Sequence, residues 1–312
     1  MYTKHVVTGA FGYSGKYIAQ RLVDKGHEVR TLTNSPNRPH PFGDKIQVHP
    51  YAFDEPDRLV EALSGAEVLY NTYWVRFDHR YFSHAEAVSN TCALFRAAKK
   101  AGIKRIVHMS ITNAALDSPW EYFRSKAQLE ATLGISDIPH TIIRPTVYFG
   151  HEDILLNNVA WALRRLPVFP LFGDGQYKLQ PIHVEDAADL AVGEGQAEGK
   201  RAIDAIGPET FTFRELVQCI GEAIGKKRPF LPLPPSIGHG AMWCAGWFVR
   251  DVILTKDEVE GLVKNMLYVE NAEPVGQRRL TDWAREHSDT MGGHYASELA
   301  RRDIRDKAYT EL

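Results

Sequence analysis

Two sets of residues carry chemistry by their type and spacing. The first is Gly9, Gly12 and Gly15, a G-x-x-G-x-x-G turn in the run Val6-Val7-Thr8-Gly9-Ala10-Phe11-Gly12-Tyr13-Ser14-Gly15. A short apolar run ends at these glycines and a helical pattern, Lys16–Lys25, follows at once. That order suits a dinucleotide pyrophosphate: the first glycine permits the tight turn, the second lets the backbone reach the phosphates, and the third lets the helix pack on the strand. The helix start then offers unpaired N–H groups and a positive dipole end. The second set is Tyr122 and Lys126. Four residues apart on a predicted helix, they share one face. That helix follows a strand whose carboxyl end carries Ser110 and Thr112. Ligands of open α/β sheets bind beyond such strand ends, which places hydroxyl, phenol and ammonium beside an expected nicotinamide.

The elements that must position these groups are legible as alternating apolar runs and amphipathic patterns, the pattern of βαβ units and a parallel sheet. Strands are predicted at His5–Thr8, Glu28–Thr33, Ile46–His49, Val68–Tyr70, Arg105–Met109 and His140–Ile143. Helices are predicted at Pro56–Leu63, with proline at its first position, at His84–Ala101, stopped by Gly102, and at Trp120–Leu133. Residues 34–44 read as a loop. Right-handed crossovers make this order an α/β doubly wound parallel sheet, a Rossmann fold. After Gly150 the pattern loosens, with helices at Asp186–Glu194 and Phe213–Gly225 and a polar, mostly featureless tail beyond Thr290. We expect a dinucleotide-binding domain over 1–150, to which part of 182–206 returns, and a smaller domain over 151–312. The apolar stretch Ile237–Val249 is too short to span a bilayer and reads as a buried helix or pocket wall.

With 37 Lys plus Arg against 39 Asp plus Glu among 312 residues, the chain carries no charge excess that would attract nucleic acid. Cys92, Cys219 and Cys244 are far apart and include no C-x-x-C. They indicate neither a disulfide framework nor a thiolate zinc site, and they fit a reducing, cytoplasmic setting. No H-E-x-x-H or comparable metal spacing occurs among the 13 histidines, so no metal is expected. The first strand begins near Met1, leaving no room for a signal peptide. The expected partner is a small-molecule substrate, with a homodimer possible in principle and no membrane span.

The second strand ends Thr31-Leu32-Thr33-Asn34-Ser35, without the Asp or Glu that usually binds a ribose 2′-hydroxyl. Asn34, Ser35 and Arg38 could instead bind a 2′-phosphate, so NADP(H) is expected over NAD(H).

The chain resembles the extended or atypical branch of the short-chain dehydrogenase/reductase superfamily. The resemblance rests on the glycine turn, on Asn90, and on Ala97–Arg105 before Ile106-Val107-His108-Met109-Ser110. It continues through Tyr122-Phe123-Arg124-Ser125-Lys126, Ile143-Arg144-Pro145-Thr146, Phe172-Gly173-Asp174-Gly175, His183-Val184-Glu185-Asp186 and Thr210–Leu216. Within that branch it looks similar to the nucleotide-binding accessory subunit of respiratory complex I and to epimerase/dehydratase-like proteins. The resemblance implies a hydride-transferring oxidoreductase in which Tyr122 is the acid/base, Ser110 binds the substrate oxygen, with Thr112 in reserve, and Lys126 orients the nicotinamide ribose. It adds Phe11, Tyr13, Asp54, Asn71, Pro145 and Thr146 to the cofactor contacts. It also places substrate beside Trp74, Phe149 and Asn157, in an apolar pocket with Tyr73, Phe77 and Trp161, so the substrate is expected to be an apolar carbonyl compound. A nearby ammonium favours the phenolate, which makes a tyrosine usable as a base near neutral pH. Two other readings stay open. One is a nucleotide-sugar epimerase or dehydratase, although Thr112-Asn113-Ala114-Ala115 stands where dehydratases carry an Asp-Glu pair. The other is a non-catalytic NADP(H)-sensing or assembly protein.

Overall fold

The computed structural model describes residues 3–234 and 251–312, so the apolar stretch 237–249 lies outside the described residues. The chain divides into two compact units, residues 1–145 with 187–204, and residues 146–186 with 205–312.

The first unit is built on a seven-stranded sheet. Its strands are β1 (Lys4–Thr8), β2 (Glu28–Leu32), β3 (Ile46–His49), β4 (Val68–Asn71), β5 (Arg105–Met109), β6 (His140–Pro145) and an outer strand, Lys200–Ala205. Across the sheet they run β3-β2-β1-β4-β5-β6 and then the outer strand, and β3 through β6 pair in parallel. This is the order of a doubly wound sheet, which reverses between β1 and β4. β5 is buried at every position, as a central parallel strand covered on both faces must be. The helices of this unit include α1 (Tyr13–Asp24), α2 (Pro56–Leu63), α3 (His84–Lys100) and α4 (Glu121–Gly134). Leu59, Leu63, Leu94, Ala98, Leu129 and Leu133 from three of them bury against Val6, Leu69 and Ile106 of the sheet. Ser83 caps α3 by accepting from the Glu86 N–H at 3.1 Å.

α1 starts three residues earlier than its apolar pattern indicates, because Gly12 at the N-cap lets the turn feed directly into the helix. The chain fold before α2 also differs from a simple cap. Glu55 is the N-cap and makes no side-chain cap bond, so Asp54 is an exposed residue before the helix and not its cap.

Among its described residues the second unit carries three two-stranded pairings. Tyr148–Phe149 runs parallel to Ile182–His183, Phe169–Phe172 parallel to Phe230–Leu233, and Lys178–Leu179 antiparallel to Phe211–Thr212. The helices Leu155–Arg165 and Phe213–Ala223 pack into its core with Leu171, Leu179 and Trp283. Here the sequence expectation needs correcting: the polar tail holds a helix at Glu298–Asp303. Ser297 caps it at the Ala300 N–H, and Asp251 accepts from the Glu298 and Leu299 N–H groups at 2.9 and 3.0 Å. Capping, which hydrophobic periodicity does not register, makes so short a helix stable.

Candidate functional site

The glycine turn is as tight as its spacing implies. Gly9 sits at φ +65°, and a Cβ built on Gly15 would lie 2.2 Å from the Gly9 carbonyl oxygen. That oxygen accepts from the Gly12 N–H at 2.8 Å, while the Ala10 N–H donates to Thr31 Oγ1 at 3.0 Å. α1 has no side-chain cap bond and no acidic residue in its first turn, so its N–H groups and dipole face the turn unneutralised. Phe11 is buried and stacks on His40, with centroids 3.9 Å apart, so the loop after β2 lies against the turn. Tyr13 is partly buried on the first residue of α1.

At the neighbouring ends of β1 and β4, Thr8 Oγ1 donates to Asn71 Oδ1 at 3.1 Å and accepts from the Thr72 and Tyr73 N–H groups. Asn71 is fully buried and also pairs with His108 Nδ1 at 3.0 Å. Its side chain thus ties three strand ends together instead of projecting toward a nucleotide. Asn34 is exposed after β2, whereas Arg38 is only 3% exposed, which excludes a solvated loop position for it. Exposed Asp54 adjoins Phe53, which stacks with Tyr51 at 4.9 Å and meets Tyr73 at the same separation.

α4 brings the second set of residues together. Lys126 Nζ donates to the Met109 carbonyl at 2.8 Å, at the carboxyl end of β5, and lies 4.2 Å from the centre of the Trp74 ring. Trp74 in turn meets Tyr122 edge-on at 5.9 Å. Lys126 is 3% exposed, and no carboxylate lies within ion-pair distance of it among the described residues. Burial lowers its pKa from the usual ammonium range to about 7, an effect only partly opposed by the charge of Glu130. The same burial, with Lys126 beside it, holds His108 neutral.

Ser110 differs from expectation. Its hydroxyl donates to Glu130 Oε1 at 2.5 Å, and Glu130 also takes a forked pair of bonds from Arg144. A serine has one proton to give, and here it goes to a carboxylate, not to a substrate oxygen. Glu130 is the residue the sequence reading missed. Its signal was present, since Tyr122, Lys126 and Glu130 recur every four residues on one helix face. Thr112 is fully buried, and its N–H donates to the Pro145 carbonyl at 3.1 Å.

Three further expectations fall in the second unit. Phe149 is wholly buried in that unit's core, meeting His183 at 4.9 Å and Trp283 at 5.8 Å, so its ring offers no surface to a substrate. Asn157 is occupied by the local chain: its amide donates to the carbonyls of Gly150, His151 and Asp153, and its oxygen accepts from the Gly292 N–H. Both side chains are thus engaged in packing and turn closure within this unit. Thr146 Oγ1 donates to the Gln180 carbonyl.

Residues 9–153 match the model of a family described as NAD(P)H-binding. The chain is homologous to a complex I subunit. It is 29% identical over 288 residues to the mitochondrial NADH dehydrogenase [ubiquinone] 1 alpha subcomplex subunit 9 of Arabidopsis thaliana, covering 85% of this chain and 71% of that protein. The Rattus norvegicus subunit is 31% identical over 66% of this chain and 55% of its own length, so this chain spans little more than half of it. A (4-alkanoyl-5-oxo-2,5-dihydrofuran-3-yl)methyl phosphate reductase of Streptomyces griseus is 25% identical over 92% of this chain and 98% of that enzyme. In fold, the chain resembles a Citrobacter triphenylmethane reductase complexed with NADP(H), with TM-score 0.73 and 17% identity over 91% of this chain and 99% of that one. A Staphylococcus aureus nucleoside-diphosphate-sugar epimerase superposes with TM-score 0.72 and 17% identity over 90% and 99% of the two chains. The turn fits the nucleotide such a domain takes: the space a Cβ at position 15 would fill is given over to backbone contact, and no acidic side chain guards the helix start. Among the described residues, no helix is long and apolar enough to cross a membrane.

Proposed function

We propose that this chain is an NADP(H)-dependent oxidoreductase of the short-chain dehydrogenase/reductase type, acting on an apolar carbonyl or alcohol. The observation that carries the reading is the placement of Tyr122 and Lys126 around Trp74 at the carboxyl end of β5. Gly9, Gly12, Gly15 and the first turn of α1 hold the pyrophosphate, and Lys126 holds the nicotinamide ribose. A nicotinamide held by these residues would supply or accept the hydride. Tyr122 gives its phenolic proton to the carbonyl oxygen in reduction, or takes it back in oxidation. The Ser110 proton is committed to Glu130, and on this reading Tyr122 is the group that hydrogen-bonds that oxygen. Lys126 has a pKa near 7 while it lies dry beneath Trp74. A phenolate or ribose hydroxyl at its head would stabilise the ammonium and return it to the charged state that favours the phenolate. Trp74, on this reading, lines the substrate side and moves off Lys126 when the ribose docks. The two reductases among the relatives support a reduction, the absence of a carboxylate at the end of β2 supports the 2′-phosphate of NADP(H), and the well-separated cysteines support a reducing compartment.

The engagement of Ser110 by Glu130, with the ammonium sealed by Trp74, favours a second reading: a nucleotide-holding protein that performs no chemistry. Homology to complex I subunits agrees with it. Titration with NADPH and NADH, followed by turnover of a panel of apolar carbonyls, separates the two. The enzyme reading expects tighter NADPH binding, measurable turnover, and a Tyr122→Phe variant that binds NADPH unchanged while losing at least about a hundredfold in kcat. Binding without turnover across the panel establishes the second reading in its place.

A further inference from the structure

The loop after β4 and the N-termini of α3 and α4 bring Asp78, His84 and Glu121 together. Each contributes an oxygen or imidazole nitrogen, and these atoms all lie within 4.8 Å of one another. We infer that Asp78, His84 and Glu121 form a binding site for a divalent first-row cation such as Zn²⁺, adjoining Tyr122. The inference is independent of hydride transfer.

The state of His84 carries it. The ring is 6% exposed, and neither of its nitrogens has a hydrogen-bond partner. A buried polar atom left unpaired costs about 1–3 kcal/mol, so two on one ring call for an explanation. Nδ1 lies 3.1 Å from Asp78 Oδ1, close enough for a hydrogen bond, yet the pair does not make one. An imidazole nitrogen and a carboxylate oxygen 3.1 Å apart, with no hydrogen bond between them, have the spacing of co-ligands whose lone pairs converge on a third atom. The His84 ring is held in place, stacked on Trp74 at 5.7 Å and edge-on to Tyr122 at 5.7 Å. Asp78 is held as well, since its Oδ1 accepts from the backbone N–H of His84 at 2.6 Å.

One imidazole and two carboxylates suit Zn²⁺ and its first-row neighbours better than Ca²⁺, which takes oxygen ligands alone. Two carboxylates and a neutral imidazole also cancel the charge of the ion. Zinc bonds of about 2.0–2.2 Å place tetrahedral ligands roughly 3.4 Å apart, and a side-chain rotation of half-exposed Glu121 would bring atoms that already lie within 4.8 Å of one another to that spacing. Three protein ligands leave at least one coordination position open to water or to an oxygen-bearing ligand, as in catalytic rather than structural zinc sites.

The test uses the full chain, stripped with a chelator and desalted, titrated with Zn²⁺ against a chromophoric competitor and with Co²⁺ by visible absorption. One equivalent should bind, and Co²⁺ should give the intense d–d bands of a low-symmetry nitrogen and oxygen site. Glu121→Ala, at a half-exposed helix start, and His84→Ala should each weaken Zn²⁺ binding at least about tenfold, and their folding is checked by circular dichroism. His151→Ala, on an exposed histidine of the other unit, should bind as wild type does. Glu121→Ala keeps the test open if His84→Ala does not fold. Wild-type protein that takes up no Zn²⁺, or Glu121→Ala protein with undiminished affinity, overturns the site and leaves His84 as an ion-pair partner of Asp78.

Discussion

Lys126→Met replaces a buried ammonium with an apolar chain of similar length and tests whether this lysine is as poorly solvated as its position implies. The folded pKa is about 7, against 10.5 for an exposed lysine. Because the folded value lies below the unfolded one, the unfolded chain takes up a proton that the folded chain refuses anywhere between those pH values. Stability therefore rises with pH through the window, and the full cost is present below pH 7. The linkage relation puts the cost near 4 kcal/mol at pH 7 and near 2 kcal/mol at pH 9. Methionine removes it but strands the Met109 carbonyl, at about 1–3 kcal/mol, and forfeits the contact with the Trp74 ring, at about 1 kcal/mol. At neutral pH these terms nearly cancel. The decisive quantity is the pH dependence, in which the fixed losses drop out. Nucleotide-free wild type should gain about 2 kcal/mol relative to Lys126→Met between pH 7 and pH 9, measured by urea denaturation in matched buffers. The groups around the ammonium, Glu130 and His108, are present in both proteins and subtract to first order. Equal pH slopes in the two proteins refute the argument, because they mean that Lys126 keeps a solvent-like pKa in the fold.

The other expectations follow the same logic at other positions. Burial raises the Asp153 carboxyl to about 7, so the folded chain holds a proton that the unfolded chain has lost, and stability falls as pH rises from about 4 to 7. Asp153→Asn should therefore lose about 3 kcal/mol less than wild type between pH 5 and pH 8 in urea melts, and identical slopes would show the carboxyl to be ionised throughout. Gly15→Ala drives a Cβ to 2.2 Å from a backbone oxygen that cannot move without opening the turn, so it should cost at least about 3 kcal/mol and abolish NADPH binding by fluorescence titration. A stable, binding variant contradicts the close-packed turn. Glu130→Gln removes the charge that Arg144 and Ser110 share; because Arg144 is partly exposed, the expected loss is only about 1–2 kcal/mol, read as a lowered urea midpoint.

What the sequence alone determined is local and periodic. Glycines at positions 9, 12 and 15 state a turn, in which Gly9 takes a positive φ and Gly15 leaves no room for a Cβ. The alternation of short apolar runs with amphipathic helices states a doubly wound sheet, and four-residue spacing puts Tyr122 and Lys126 on one face. These follow from backbone sterics and from the periods of helix and strand, which any stretch of chain carries in itself. What only the tertiary structure decided depends on residues far apart in the chain. Nothing in the spacing of Asp78, His84 and Glu121 marks them as neighbours, since one lies in a loop and the others begin two different helices. Nor does the type of Ser110 reveal that its proton goes to Glu130, or that of Phe149 that its ring lies in a core and not in a pocket wall. The expectation of a substrate role came from the family resemblance, which carries residue types and positions but not their burial in this chain. Burial and the choice of hydrogen-bond partner, which settle what a hydroxyl or a ring can do, are properties of the packed chain and are written at no single position.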